Sequence, residues 1–153
     1  MATKNERSRN RRRSEGDARR VGRALLMSCV VDTNLLIYFL ADAVDESVLQ
    51  RIEQALRDQA RISVITRMEV LGWRGHTDDS RARARFLLDQ LDEIALTSPV
   101  VERVIEIRSS LAIKLPDAII AASALIENLP LMTPNIADFK RVPGLVLMDP
   151  FAA

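Results

Sequence analysis

Short apolar runs alternate along this chain with longer stretches of helical period, and that alternation limits the folds open to it. Cys29–Val31 reads as a buried strand ending at Asp32, and Leu35–Leu40 opens a helix. Glu46–Ala60 places Val48, Leu49, Ile52, Ala55 and Leu56 on one helical face. Arg61–Ile65 reads as a second strand, with Thr66 as N-cap of a helix Arg67–Trp73. A helix over Asp79–Leu91, a strand over Glu93–Leu96 and a helix from Pro99 to about Leu111 follow. Pro116 then opens the helix Asp117–Glu127, apolar almost all round and therefore expected to be buried. Leu131–Met132 and Val146–Met148 are the last strands. The expected fold is α/β, three-layered and Rossmann-like, with a mainly parallel central sheet flanked by helices. Ligands in such sheets bind beyond the carboxyl ends of the strands.

The 153 residues suit one domain, and 48% apolar content suffices for its core. Charge is unevenly spread. Residues 1–26 hold nine Lys/Arg and three Asp/Glu, leaving 13 basic and 18 acidic residues in the remainder. The expected division is a basic, disordered extension over 1–26 and a folded domain over 27–153. The extension reads either as an arm for nucleic-acid phosphates, or as a solvated tail or over-extended start preceding Met27. No apolar run approaches the ~18 residues of a membrane span, and the single Cys29 excludes an internal disulfide, so the expected setting is the cytoplasm.

Four acidic residues stand at or near the boundaries of these elements. Asp32 follows the first strand, Glu69 lies in the helix after the second, Asp117 begins the buried helix, and Asp138 follows Thr133-Pro134-Asn135. Each has an ordinary explanation: Asp32 as a helix cap, Glu69 as a surface acid, Asp117 as a first-turn charge favoured by the helix dipole, Asp138 as a solvated side chain. A parallel sheet would bring all four to one edge. Clustered carboxylates repel, and divalent cations relieve that conflict. Such sites hydrolyse phosphodiesters without a catalytic histidine. The one histidine, His76, sits in a polar loop and is expected at the surface.

Four segments in order resemble the motifs of PIN domains, particularly bacterial VapC-type toxins. They are Val30-Val31-Asp32-Thr33-Asn34, Thr66-Arg67-Met68-Glu69-Val70-Leu71-Gly72, Leu115-Pro116-Asp117-Ala118-Ile119-Ile120-Ala121-Ala122, and Leu131 through Phe139. The resemblance spans residues 28–150. It implies Mg²⁺ or Mn²⁺ binding, endoribonuclease activity on RNA, inhibition by a cognate antitoxin, and a homodimer. Asp32 and Asp117 match the family's main metal ligands and Glu69 its third acid. The fourth position is held in some relatives where Asn135 stands and in others where Asp138 stands. Asp138 is favoured for its charge, with Asn135 as a polar contact. Thr33, Asn34 and Thr133 are expected to hydrogen-bond the carboxylates. Lys114 could approach a phosphate, pair with an acid, or simply be solvated.

Arg81, Arg83 and Arg85 offer either phosphate contacts or a soluble face, and Trp73 either a stacking surface or packing. A phosphatase of the haloacid dehalogenase type would need a second Asp where Asn34 stands, and a receiver domain would need paired acids after the first strand. Non-catalytic binding and housekeeping RNA processing are the other readings.

Overall fold

The computed structural model describes residues 28–152; the expected basic extension over 1–26 lies outside them. Among the described residues, five short strands form one sheet: β1 (Val30–Val31), β2 (Arg61–Ser63), β3 (Asp92–Ile94), β4 (Leu131–Met132) and β5 (Leu147–Met148). Their order is β3-β2-β1-β4-β5 and every pairing is parallel. The chain builds outward from β1 to β2 and β3, then crosses to the other side for β4 and β5. The order therefore reverses between β1 and β4, which makes that junction the expected ligand crevice.

Among the described residues, seven helices accompany the sheet: α1 (Thr33–Leu40), α2 (Glu46–Arg57), α3 (Val64–Leu71), α4 (Asp78–Asp89), α5 (Ser98–Ser110), α6 (Leu115–Ile126) and α7 (Ile136–Phe139). Successive strand residues point to opposite faces, so two cores form. Val30 and Leu131 pack with Val100, Val104 and Ile107 of α5 and the apolar body of α6. Val31 and Met132 pack on the other side with Leu35, Leu36, Ile52, Val70 and Leu88 from α1 to α4. Helix α6 is buried from Ala118 through Ala124, and its one polar residue there, Ser123, donates to the Ile119 carbonyl at 2.7 Å. That bond removes the cost of burying an unpaired hydroxyl.

Several boundaries depart from the sequence reading. Strand β2 ends at Ser63, not Ile65, because the Ser63 hydroxyl accepts the Ile65 amide at 3.3 Å and caps α3. Thr66 is thus inside α3, fully buried, and not its cap. Helix α2 stops at Arg57 instead of Ala60, since Gln59 adopts φ 62° and breaks the repeat. The turn α7 was not anticipated; at four residues it is too short to show an apolar period. His76 is half-buried and bonded rather than solvated.

Candidate active site

Asp32 occupies the N-cap position of α1, yet its side chain makes no capping bond. Its Oδ2 instead accepts from the Thr133 hydroxyl at 2.8 Å. The same Thr133 Oγ1 accepts the Asn135 amide at 2.9 Å, so the hydroxyl proton is aimed at the carboxylate. Asp32 is 3% exposed. Burial pushes its pKa up to about 6; the Asp117 and Glu69 charges push the same way, while Thr133 and the Thr33 amide offset part of the rise.

Glu69 projects from α3 at its exposed side, and Thr33 Oγ1 donates to its Oε1 at 2.9 Å. Thr33 Oγ1 also lies 2.9 Å from the Thr66 hydroxyl. A carboxylate oxygen can only accept, so Thr33 spends its proton on Glu69 and Thr66 must donate to Thr33. The direction Thr66 to Thr33 to Glu69 is therefore dictated. Thr66 was missed as a site residue by sequence reading. The available signal was its place one helical turn before Glu69 on the same face.

Asp117 lies in the first turn of α6, half-buried, beside Pro116. Its pKa is raised by burial, then by Asp138 and Glu69, with Lys114 pulling it down. Lys114 is exposed at the N-cap position of α6. Asp138 is exposed on α7, where its Oδ2 accepts from Asn135 Nδ2 at 2.7 Å. Asn34 is exposed and has no hydrogen bond to a carboxylate among the described residues. None of the ion pairs found among the described residues involves the four acids.

The four carboxylates thus lie within electrostatic reach of one another, in the pairs Asp32–Asp117, Asp32–Glu69, Asp117–Glu69 and Asp117–Asp138. No three His, Cys, Asp or Glu side chains among the described residues stand close enough to grip one ion as placed. The donors are all oxygen atoms of the kind that suits a hard cation such as Mg²⁺ or Mn²⁺. A carboxylate raised to about 6, first by burial and then by neighbouring negative charge, is a group that a cation would stabilise.

Fold and site together define an all-parallel α/β domain with a carboxylate cluster at the carboxyl edge of its central strands. Residues 29–145 match the PIN domain family, and the chain belongs to it. The family is one of nucleases that generally use divalent metal ions. Among solved structures, a chain of a toxin–antitoxin complex from Klebsiella pneumoniae is 32% identical, with TM-score 0.64 over 82% of this chain and 99% of that one. A chain of VapBC2 from Rickettsia felis, solved with a promoter DNA fragment, is 25% identical, with TM-score 0.69 over 79% and 97%. The DNA-bound VapBC of Salmonella typhimurium shares the fold at 23% identity, with TM-score 0.72 over 80% and 98%. The first two likenesses support a VapC-type member of the family. No curated protein sequence matches the chain significantly. Among the described residues no helix is long and apolar enough to cross a membrane.

Proposed function

We propose that this chain is a divalent-metal-dependent endoribonuclease and the toxin of a toxin–antitoxin pair. One observation carries the reading: a buried aspartate at the end of the central strand, coupled electrostatically to acids from α3 and α6. Asp32 and Asp117 would be the principal ligands of Mg²⁺ or Mn²⁺, with Glu69 as the third acid and Asp138 completing the set. When bound, the cation supplies Lewis acidity for attack of water on phosphorus, with cleavage of one phosphodiester P–O bond. Thr133 holds Asp32 in one orientation, and Thr33, fed by Thr66, does the same for Glu69. Asn135 fixes Asp138 at the rim, and Lys114 beside Asp117 is placed to meet phosphate charge.

RNA is the substrate in this reading, and an antitoxin protein and a second copy of the chain are its partners. The resemblance to toxin–antitoxin complexes supports the first of these partners. The test is RNA cleavage titrated with Mg²⁺ and Mn²⁺, with Asp117→Asn as control. Metal-dependent cleavage lost in the variant is expected; cleavage unaffected by chelator or by Asp117→Asn would refute the site. An antitoxin-like reading frame next to the gene separates a toxin from an RNA-processing nuclease.

A further inference from the structure

Trp73, the only tryptophan of the chain, is 60% exposed, yet its position is closely fixed. The indole lies against Gly75, where any Cβ would clash with three ring atoms. Its flank meets His76 edge-on, with centroids 5.2 Å apart and planes at 79°. His76 is held at both ring nitrogens: Nε2 is 2.7 Å from the Val70 carbonyl and Nδ1 is 2.9 Å from the Ser80 hydroxyl. Because a carbonyl only accepts, Nε2 carries the proton. Ser80 is in turn locked with Thr77 in the capping box of α4. A glycine floor and a pinned histidine wall therefore hold an aromatic ring that remains largely open to solvent.

Single exposed apolar side chains are common and need no explanation. This one differs in being preorganised and in its place. Gly72, the C-cap of α3, is near-helical at φ −80° and ψ −3°. The Trp73 Cα therefore lies one turn, roughly 6 Å, beyond that of Glu69. Arg74, the next residue and also exposed, adds positive charge to this stretch of the surface.

We propose that Trp73 is a stacking subsite for an unpaired base of the substrate RNA, adjacent to the bond that is cut. The proposal rests on the ribonuclease reading. Every base offers a π-face, so such a platform favours single-stranded loops over duplex without demanding one sequence. A ring already fixed in place loses little conformational freedom when a base settles on it. The alternative occupant, an apolar face of a partner protein, is an outcome of the test.

The sole indole makes the test direct. Trp73 emission is titrated in chelator with an unstructured 12-nucleotide RNA and with an abasic strand of equal length. Quenching by the RNA and not by the abasic strand is expected. In the metal-loaded protein, Trp73→Ala should raise KM roughly 5- to 150-fold, and Trp73→Phe should recover most of the loss. Gly75→Ala should displace the indole and weaken RNA binding with Trp73 present. Melting curves of each variant report its folding, and the fluorescence titration needs no variant. Emission that ignores RNA and responds only to a partner protein would overturn the proposal, as would an unchanged KM in a folded Trp73→Ala. Either result beside metal-dependent cleavage that Asp117→Asn abolishes would leave the nuclease standing. RNA quenching without any cleavage would instead remove the nuclease reading and keep the base platform.

Discussion

Thr133, at the end of β4, donates a 2.8 Å hydrogen bond to Asp32, at the end of β1, across the point where the strand order reverses. The neighbouring ladder bond from the Asp32 amide to the Met132 carbonyl, 2.9 Å, holds the two strand ends in register. The central acid of the site is thus oriented by the sheet itself, and the loop after β4 is tied to the same carboxylate through the Asn135 amide.

Thr133→Val keeps the shape and removes the hydroxyl. It leaves a buried carboxylate without its donor and the Asn135 amide without its acceptor. A loss of about 1–3 kcal/mol is expected in urea unfolding at pH 8. The loss should shrink at pH 5, where Asp32 is mostly protonated. An equal loss at both pH values would show that the bond does not act through the carboxylate charge.

Asp32 predicts an unusual pH profile for the metal-free protein. Its folded pKa of about 6 stands above the ordinary aspartate value of 3.8, so between those values the folded state binds more protons than the unfolded one. Stability is then greater at the acid end of this window and falls as pH rises through it, by about 3 kcal/mol on this group alone. The raised Asp117 adds in the same direction. With chelator present, Asp32→Asn should flatten the dependence and melt higher than wild type at pH 8. A lower melting temperature for Asp32→Asn at that pH would contradict it.

Thr66→Val removes the head of the chain that orients Glu69. The buried Thr33 then loses a donor, and a destabilisation of about 1 kcal/mol is expected. Cleavage should fall about tenfold or more as Glu69 loosens, a loss of transition-state positioning of the kind that small displacements cause. Thr66→Ser, which keeps the hydroxyl, should recover the activity. Steady-state cleavage of the three proteins, with calorimetric Mn²⁺ titration, decides the matter. Equal impairment of Ser and Val would assign Thr66 to packing alone.

Ser63→Ala deletes the cap of α3, the helix that carries Thr66 and Glu69. A cost of about 1 kcal/mol is expected in thermal or urea unfolding. Faster amide exchange at Ile65 and Thr66 than in the distant α5 would place the damage at this helix end.

The order of strands and helices, the parallel sheet and the burial of α6 were legible because they depend on short-range chemistry. Period, chain direction and apolar content are written locally, and the run Ala118–Ala124 leaves little choice but the interior. Local chemistry also exposed the four acids, since Asp32, Glu69 and Asp138 stand at or soon after strand ends and Asp117 stands in the first turn of an apolar helix. Residues with two local uses stayed ambiguous. Thr66 could cap a helix or hydrogen-bond across to another; Ser63, inside the supposed strand, turned out to hold the cap. Asp32 stands at an N-cap position and does not cap, because Thr133, 101 residues away, offers a better-placed partner. His76 lies in the loop where its sequence placed it, yet Val70 and Ser80 close on its two nitrogens and hold it half-buried. Sequence by itself determined the longer elements and the supply of carboxylates; tertiary structure decided which hydroxyl orients which acid and how the exposed indole of Trp73 is held. The reason is that hydrogen-bond direction and burial depend on atoms brought together by the sheet crossover, and no local pattern records them.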